Sequence, residues 1–509
     1  MAYPAVAGKT ALVTDARPAE TGVLFPLVDG RRSTQTTSRA VFAEATRAVA
    51  PDLSREIESA RDWHKDYVRR LADIEAVGAS SAKNALLVAS DGLDAVHHHL
   101  VFARDGAEVP LEQALRTSSP RWAFATGTIE GASEGEARLA VPYRGETLMG
   151  GTLQRQLDAW VSKGVVEPSF AAAIAQVDAH PEWLDARDLT AVLIGAAAEM
   201  GPLPALSRWG ATIAAIDIRS PKVWERILTA ARAGKGRLVA PIAEGGDIDH
   251  AAGADLLTEL PEIRAWIDTL DAPLVIGNYA YADGAAFVRV AAAADALIDD
   301  VSSQRNDTAL SYLASPTDVF AVPIEIVEAA QADSLMGRRG RRIGTPLRML
   351  TGARMFAPNY ATIIDSEEGL RFGLADSVVP QQGPNYALAK RMQRWRAIVG
   401  RESFLTSANV APATRTRSVT KNRVLAAAYS GASNFGVEIF ETATSSTLMA
   451  AMLIHDLRNP AALTRPENDV VHPLNLFADG AAHGGLWRLP WEPRSVLPLA
   501  AVEGLVRRR

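Results

Sequence analysis

A series of short, almost wholly apolar segments in the C-terminal two-thirds of the chain restricts the fold most. Residues 190–194, 211–216, 237–241 and 273–277 are segments of this kind, and helical patterns separate them along the chain. A strand that is apolar on both sides is buried on both faces of its sheet, and its alternation with helices indicates βαβ units. The sequence therefore predicts an α/β fold with a doubly wound parallel sheet.

The N-terminal part of the chain alternates less regularly. Its strand-like runs lie at residues 10–14, 85–89 and 138–141, and its helical runs at 38–76 and 153–177. Pro181 and the acidic stretch at 185–188 then interrupt the pattern, as residues between domains often do. We therefore predict an additional N-terminal α/β region over residues 1–186 and a second domain over residues 187–509.

The composition excludes several classes of function. The 509 residues include no cysteine, which rules out disulfides and thiolate metal sites, and no metal site is expected. The net charge of −6 argues against a nucleic-acid partner, which usually requires a basic surface. No run approaches the roughly 20 apolar residues of a membrane span, and the N-terminus does not resemble a signal peptide. These features predict a cytoplasmic protein with no membrane or nucleic-acid partner.

The turn after the first apolar segment is rich in small residues from Gly195 and Ala196 to Gly201. Small residues there allow backbone N–H groups to approach a pyrophosphate, as in Rossmann-type dinucleotide sites, although close packing demands them too. Asp217 ends the second segment, where a carboxylate can accept hydrogen bonds from a ribose. Arg219 can instead meet a 2′-phosphate, so the sequence leaves NAD and NADP both open.

Glu199 stands within this turn, where a carboxylate repels a pyrophosphate unless it points away or is neutralised. Two interpretations follow. Glu199 either faces solvent in the first helical turn, where an acid suits the helix dipole, or it marks a nucleotide site that has decayed.

Tyr386 and Lys390 follow a Gly-Pro entry into a helical pattern and are one turn apart, so both side chains share a face. A nearby ammonium lowers the pKa of a phenol and suits it to exchange protons with a carbonyl or an alcohol. The alternative is an ordinary aromatic–cation pair on a helix.

Together these motifs resemble the short-chain dehydrogenase/reductase family over about residues 187–487. In that family a serine ends the strand before the tyrosine, and Ser366 at the end of the apolar run 362–366 is the first candidate, with Ser377 as its competitor. Residues 407–416, which include Pro412 and Thr416, resemble the segment that closes over the nicotinamide. Asn278 resembles part of the element that supports the adenine side, and residues 474–480 resemble the last strand.

The resemblance implies a ketoreductase-like oxidoreductase with a Rossmann-type fold. Tyr386, Lys390 and Ser366 would catalyse the interconversion of a carbonyl and an alcohol, with NAD or NADP bound by Gly195, Ala196, Gly201, Asp217, Arg219, Asn278, Pro412 and Thr416. The substrate would be bulky and hydrophobic or acyl-type, and carrier-linked if the basic run 338–342 docks an anionic carrier. The N-terminal region would be a degenerate Rossmann-like subdomain, and the protein a homo-oligomer.

Two alternatives remain open. Glu199 and the glycine-poor segment around Ala413 favour a non-catalytic protein derived from the same family, which binds a partner or acts as a scaffold. A redox-neutral isomerase or lyase with tightly bound NAD is the other.

Overall fold

A computed structural model describes residues 20–271, 273–332, 349–351 and 355–507. Its centre is a seven-stranded sheet in the order β17-β13-β12-β9-β10-β11-β6. The strand bounds are β1 Gly22–Leu24, β2 Leu27–Val28, β3 Arg31–Arg32, β4 Val101–Arg104, β5 Ala107–Pro110, β6 Ala125–Glu130, β7 Val141–Tyr143, β8 Glu146–Leu148, β9 Thr190–Ile194, β10 Thr212–Ile216, β11 Arg237–Ile242, β12 Leu274–Asn278, β13 Thr308–Ala314, β14 Val319–Pro323, β15 Ile363–Asp365, β16 Arg371–Asp376 and β17 Thr406–Val410.

Helices cover both faces of this sheet. Their bounds are α1 Thr34–Arg47, α2 Pro51–Glu58, α3 Trp63–Ala79, α4 Ala82–His99, α5 Leu111–Thr117, α6 Gly150–Ser162, α7 Pro168–Ala179, α8 Leu203–Trp209, α9 Pro221–Arg232, α10 Ile248–Ala251, α11 Leu260–Ile267, α12 Ala285–Gln304, α13 Ile324–Gln331, α14 Gly383–Arg401, α15 Arg417–Lys421, α16 Arg423–Gly431, α17 Thr442–Arg458, α18 Asn475–Ala478 and α19 Pro493–Arg507. None of the helices in the described ranges is long and apolar enough to cross a lipid bilayer.

The parallel strands divide their side chains between two cores, as the two-residue period of a strand requires. Val192 and Ile194 of β9 join the core that holds α12 and α14, whereas Ala191 and Leu193 join the core that holds α8, α9 and α17. The predicted α/β sheet, apolar on both faces, is therefore confirmed. Because β12 pairs with β9 on the side opposite β10, the strand order reverses direction at β9, where open α/β sheets usually bind ligands.

The N-terminal region shares its core with the rest of the chain. Strand β6, from the N-terminal side of the predicted boundary, pairs antiparallel with β11 and forms one edge of the central sheet. Residues of α1, α3 and α4 belong to the same continuous hydrophobic core as α12 and α14. The boundary at residues 186 and 187 therefore does not separate two independent cores.

Several local predictions outside the parallel strands were wrong. Residues 85–89, predicted as a strand, lie inside α4, because their apolar positions serve a longer helical period. Residues 474–480 form the short helix α18 and adjoining loop instead of a last strand. The strand predicted at residues 10–14 lies outside the described residues.

Two arginines of α14 and two carboxylates form a buried ring of charges. Arg391 pairs with Glu75 of α3 and, at 3.0 Å, with Asp318. Arg394 pairs with the same two acids at 2.7 and 2.9 Å and lies 4.0 Å above the Phe320 ring. Burial alone would raise the pKa of Glu75, but the Arg394 and Arg391 charges lower it. The ring ties the N-terminal helix to the helix that carries Tyr386.

His483 and Glu167 form a second buried polar link. The Gly485 N–H can only donate, so His483 Nδ1 accepts that bond and Nε2–H donates to Glu167 at 2.8 Å. This arrangement suits a neutral ring, and burial indeed lowers the pKa of His483. The role of His483 is therefore structural.

Glu167 makes stability depend on pH in the acid range. Burial would raise its pKa, but hydrogen bonds from His483 and Arg488 lower it from 4.5 to about 2. A depressed folded-state pKa gives stability that is present above pH 4.5 and is lost as the pH falls toward 2, here about 3 kcal/mol. We expect Glu167→Gln to cost about 2 kcal/mol more at pH 6 than at pH 3, which chemical unfolding at the two pH values would measure; an equal cost would contradict it.

Candidate active site

Tyr386 lies in the first turns of α14, at the carboxyl ends of the parallel strands. The helix begins at Gly383, whose φ of +80° suits glycine, and the predicted helix is confirmed. Ser315 and Thr317 follow β13, a strand of the central sheet, and their hydroxyl groups lie near Tyr386 and influence its pKa. The Ser315 and Thr317 hydroxyl oxygens are 2.8 Å apart, and the Thr317 hydroxyl donates to Gln382 Oε1 at 3.0 Å. A small cluster of hydroxyl groups therefore surrounds the phenol.

The structure gives Tyr386 a raised pKa, contrary to the expectation from the sequence. Burial is the largest cause of the raised pKa, and the nearby Asp318 carboxylate adds to it, while the polar side chains of Ser315, Thr317 and Gln382 oppose it. Phe287 packs against the phenol ring at 5.7 Å between centroids. A phenol in this environment stays protonated at neutral pH.

Lys390 lies one turn further along α14 and turns its ammonium toward other partners. Its Nζ donates to the Leu313 carbonyl at 3.2 Å and to Gln393 at 2.9 Å. Burial lowers its pKa to about 8, and the Asp318 charge acts against this. The Lys390 charge therefore does not determine the pKa of Tyr386, which burial raises.

Ser366 does not occupy the place that the resemblance implied. It follows β15 in the hairpin with β16, accepts a hydrogen bond from the Leu370 N–H at 3.3 Å and contacts Glu368. The hairpin belongs to a separate three-stranded sheet inserted between β13 and α14. Ser315 is the serine that directly follows β13 in the central sheet. Its signal in the sequence was the mostly apolar run 308–314, which ends immediately before it.

Ser377, the competing candidate, is buried, and its N–H donates to the Asp318 carbonyl at 3.1 Å. It follows β16 of the same inserted sheet. Neither Ser366 nor Ser377 takes the position of Ser315.

A cavity of about 10 Å³ lies beside Tyr386, which is space for roughly one water molecule. Tyr67 of α3 lines it together with Val379 and Lys390, and its hydroxyl donates to the Pro380 carbonyl at 3.2 Å. The N-terminal region therefore contributes a wall of the site.

The turn after β9 packs tightly against the neighbouring strand. Gly195 has a φ of +78°, and a Cβ there would stand 2.5 Å from Ala280 Cα. The N–H groups of Gly195 and Ala196 both donate to the Ile216 carbonyl, and the Gly201 carbonyl accepts from Ser446 at 2.7 Å. Much of the hydrogen-bonding capacity of the turn is thus used inside the protein.

Asp217 and Arg219, the two nucleotide candidates after β10, are already engaged. Asp217 accepts from the N–H groups of Ala197 and Ile218, both at 2.9 Å, and burial raises its pKa. Arg219 makes two parallel hydrogen bonds to Glu259, at 2.6 and 2.7 Å. The Asp217 oxygens have lone pairs to spare, whereas the Arg219 guanidinium already has an anionic partner.

The segment after β17 reaches the turn after β9. Pro412 and Thr416 lie in it, and the next residue, Arg417, forms an ion pair with Glu199 at 3.0 Å. The Arg417 N–H also donates to Glu199 at 2.7 Å. Glu199 therefore points toward the segment after β17, and its side chain is 25% exposed.

The remaining candidates lie near this cleft or outside the site. Asn278 is buried at the end of β12 and accepts from the Ala280 N–H at 3.3 Å, beside Gly195. His97 and His99 pair with Asp295 and Glu44 at 2.8 and 2.9 Å. The basic run 338–342 lies outside the described residues.

The residues present fit a dinucleotide in part. Gly195, Asp217 and Asn278 meet at the point where the strand order reverses, and Asp217 can accept hydrogen bonds from a ribose. Pro202 and Pro204 at the start of α8 lack N–H groups for a pyrophosphate, and Glu199 brings a negative charge. The adenosine end is therefore better matched than the pyrophosphate, whose entry requires Glu199 to release Arg417.

No protein family and no curated protein matches the chain.

Proposed function

We propose that the chain is an NAD(P)-dependent oxidoreductase that interconverts a carbonyl and an alcohol on a bulky, hydrophobic or acyl-type substrate. The observation that carries the proposal is that the Ser315 hydroxyl lies close enough to Tyr386, at the carboxyl ends of the parallel strands, to lower the pKa of the phenol against the effect of burial. In the family that the chain resembles, a serine ends one strand and the tyrosine lies on the helix that follows this strand in the core fold. Ser315 after β13 and Tyr386 on α14 have this arrangement. Ser315 replaces Ser366 in this role.

The environment of Tyr386 favours reduction of a carbonyl. Because its pKa is raised, the phenol is protonated at neutral pH and can donate its proton to a carbonyl oxygen. Ser315 donates a hydrogen bond to the same oxygen and so polarises the carbonyl. Lys390 adds positive charge beside the site. A nicotinamide held near the Gly195 turn and Asp217 supplies the hydride when it is bound.

A fluorescence titration of the purified protein with NADH and with NADPH tests this proposal. Wild type is expected to bind one of the two at micromolar concentration, and Lys390→Ala is expected to weaken binding about tenfold. Lys163→Ala, an exposed lysine at the end of α6, is the control. The absence of binding to wild type at millimolar nucleotide would reject the oxidoreductase.

The second candidate is a non-catalytic binding protein derived from the same fold. The ion pair between Glu199 and Arg417 favours it, because the pair spans the cleft where a pyrophosphate would lie. The small cavity beside Tyr386 agrees with it. The same titration separates the two candidates.

Glu199→Gln is expected to tighten nucleotide binding by about fivefold under the first proposal. The substitution removes the carboxylate that repels a pyrophosphate and frees the Arg417 guanidinium to meet it. Glu136→Gln changes a glutamate of similar exposure that pairs with Arg208 at 2.7 Å, and it serves as the control. Weaker binding by Glu199→Gln would show that Glu199 supports the nucleotide site instead of obstructing it.

A further inference from the structure

The charges after β10 bear on which nicotinamide nucleotide the site accepts, and this inference rests on the proposed function. NADP differs from NAD in a phosphate on the adenosine ribose, and an arginine near the end of the second strand usually accommodates it. Arg219 is the arginine of this chain in that position. What matters is therefore whether its guanidinium is free.

Glu259 holds the Arg219 guanidinium in a bidentate pair. Both terminal nitrogens donate, at 2.6 Å to Oε2 and at 2.7 Å to Oε1, and the guanidinium also lies 5.7 Å from the centre of the Phe124 ring. A parallel pair of charge-assisted hydrogen bonds fixes direction as well as charge. The Glu259 carboxylate therefore already occupies the two guanidinium nitrogens of Arg219 that a phosphate would bind.

Glu259 is held in place by the loop between α10 and α11. Its side chain is 8% exposed, and it accepts a further hydrogen bond from the Asp255 N–H at 2.7 Å. The same loop packs on the ribose-binding turn, where the Ala254 N–H donates to the Asp217 carbonyl at 2.9 Å. A buried carboxylate in a packed loop does not yield its partner as readily as an exposed one.

The charges near the ribose position sum to zero. Asp217 and Glu259 carry one negative charge each, and Arg219 and Arg226 one positive charge each; burial raises the pKa of Asp217, and the Arg226 charge acts against this. A 2′-phosphate brings close to two negative charges next to Asp217 and meets no net positive charge. A ribose hydroxyl can instead donate to the free lone pairs of Asp217.

We propose that this chain selects NAD(H) over NADP(H) because Glu259 neutralises Arg219 beside Asp217. Glu259 is thus a residue that determines cofactor specificity without contacting the cofactor. Removal of its charge leaves a net positive charge at the ribose position and frees the guanidinium for a phosphate.

Equilibrium binding of NADH and NADPH to wild type, Glu259→Gln and the double variant Glu259→Gln/Arg219→Gln tests the proposal. Wild type is expected to bind NADH at least about tenfold more tightly than NADPH. Glu259→Gln keeps an acceptor for the Asp255 N–H and is expected to tighten NADPH binding about tenfold, with little change for NADH. The double variant is expected to lose that gain, because the cation is gone.

The outcomes separate this inference from the proposed function. Binding of NADPH by wild type as tight as, or tighter than, that of NADH would overturn the inference and leave the oxidoreductase standing. An unchanged NADPH affinity in a folded Glu259→Gln variant would overturn the role of Glu259. Binding of neither nucleotide by wild type would overturn the proposed function and the inference together.

Discussion

Arg394→Met is expected to lower the free energy of unfolding by about 3–5 kcal/mol. The substitution keeps an apolar chain against Phe320 and Phe477 but leaves Arg391 to balance two buried carboxylates, Glu75 and Asp318. Breaking one partner of a buried charge network is costly because an uncompensated charge stays out of water. Denaturant unfolding followed by circular dichroism measures the loss.

Arg47→Met is the matched control. Its ion pair with Glu58, at 2.7 Å, is 57% exposed on the arginine side and 47% on the glutamate side. Exposed pairs contribute about 0–1 kcal/mol, so little change is expected. A loss below 1 kcal/mol for Arg394→Met would contradict the importance of the buried ring.

The deficit of Arg394→Met is also expected to shrink in acid. In wild type the pKa of Glu75 lies below 4.5 and that of Asp318 lies below 3.8. Wild type therefore loses stability as the pH falls below these two values. In the variant, burial with one cation fewer raises both pKa values, so protonation relieves the unpaired charge. A deficit of constant size between pH 7 and pH 4 would count against this account.

Tyr386→Phe is expected to reduce the rate of carbonyl reduction by about 10²–10⁴-fold while nucleotide affinity stays within about twofold. The substitution removes only the hydroxyl that donates the proton and keeps the ring that packs against Phe287. The measurement is oxidation of the bound nucleotide with a 3-oxoacyl thioester and an aromatic ketone as probe substrates.

Tyr429→Phe is the control for Tyr386→Phe. Burial raises the pKa of Tyr429 too, and the charge of Tyr386 raises it further, so the two phenols are near neighbours. Tyr429 has no role in the proposed chemistry, and its variant is expected to keep the wild-type rate. Equal rates for Tyr386→Phe and wild type on a substrate that wild type reduces would remove Tyr386 from the mechanism.

Local pattern in the sequence was enough to predict the tyrosine helix and four of the six parallel strands, but not β13 and β17. The apolar runs near β9, β10, β11 and β12 are buried on both faces, so each run reports its own environment without knowledge of its neighbours. The helix from Gly383 was equally local, because a Gly-Pro entry and helical spacing mark it. Each of these predictions depended only on the pattern of residues within one segment of the chain.

The tertiary structure decided which side chains meet. Ser315 replaces Ser366 because an inserted sheet separates the serine from the tyrosine by 71 positions, and spacing along the chain cannot show which serine returns to the phenol. Glu259 pairs with Arg219 across 40 positions for the same reason. The sequence by itself determined where four of the parallel strands and the tyrosine helix form, because the burial pattern of each of these segments is local. Only the folded chain decided which charges are free, because pairing depends on long-range packing.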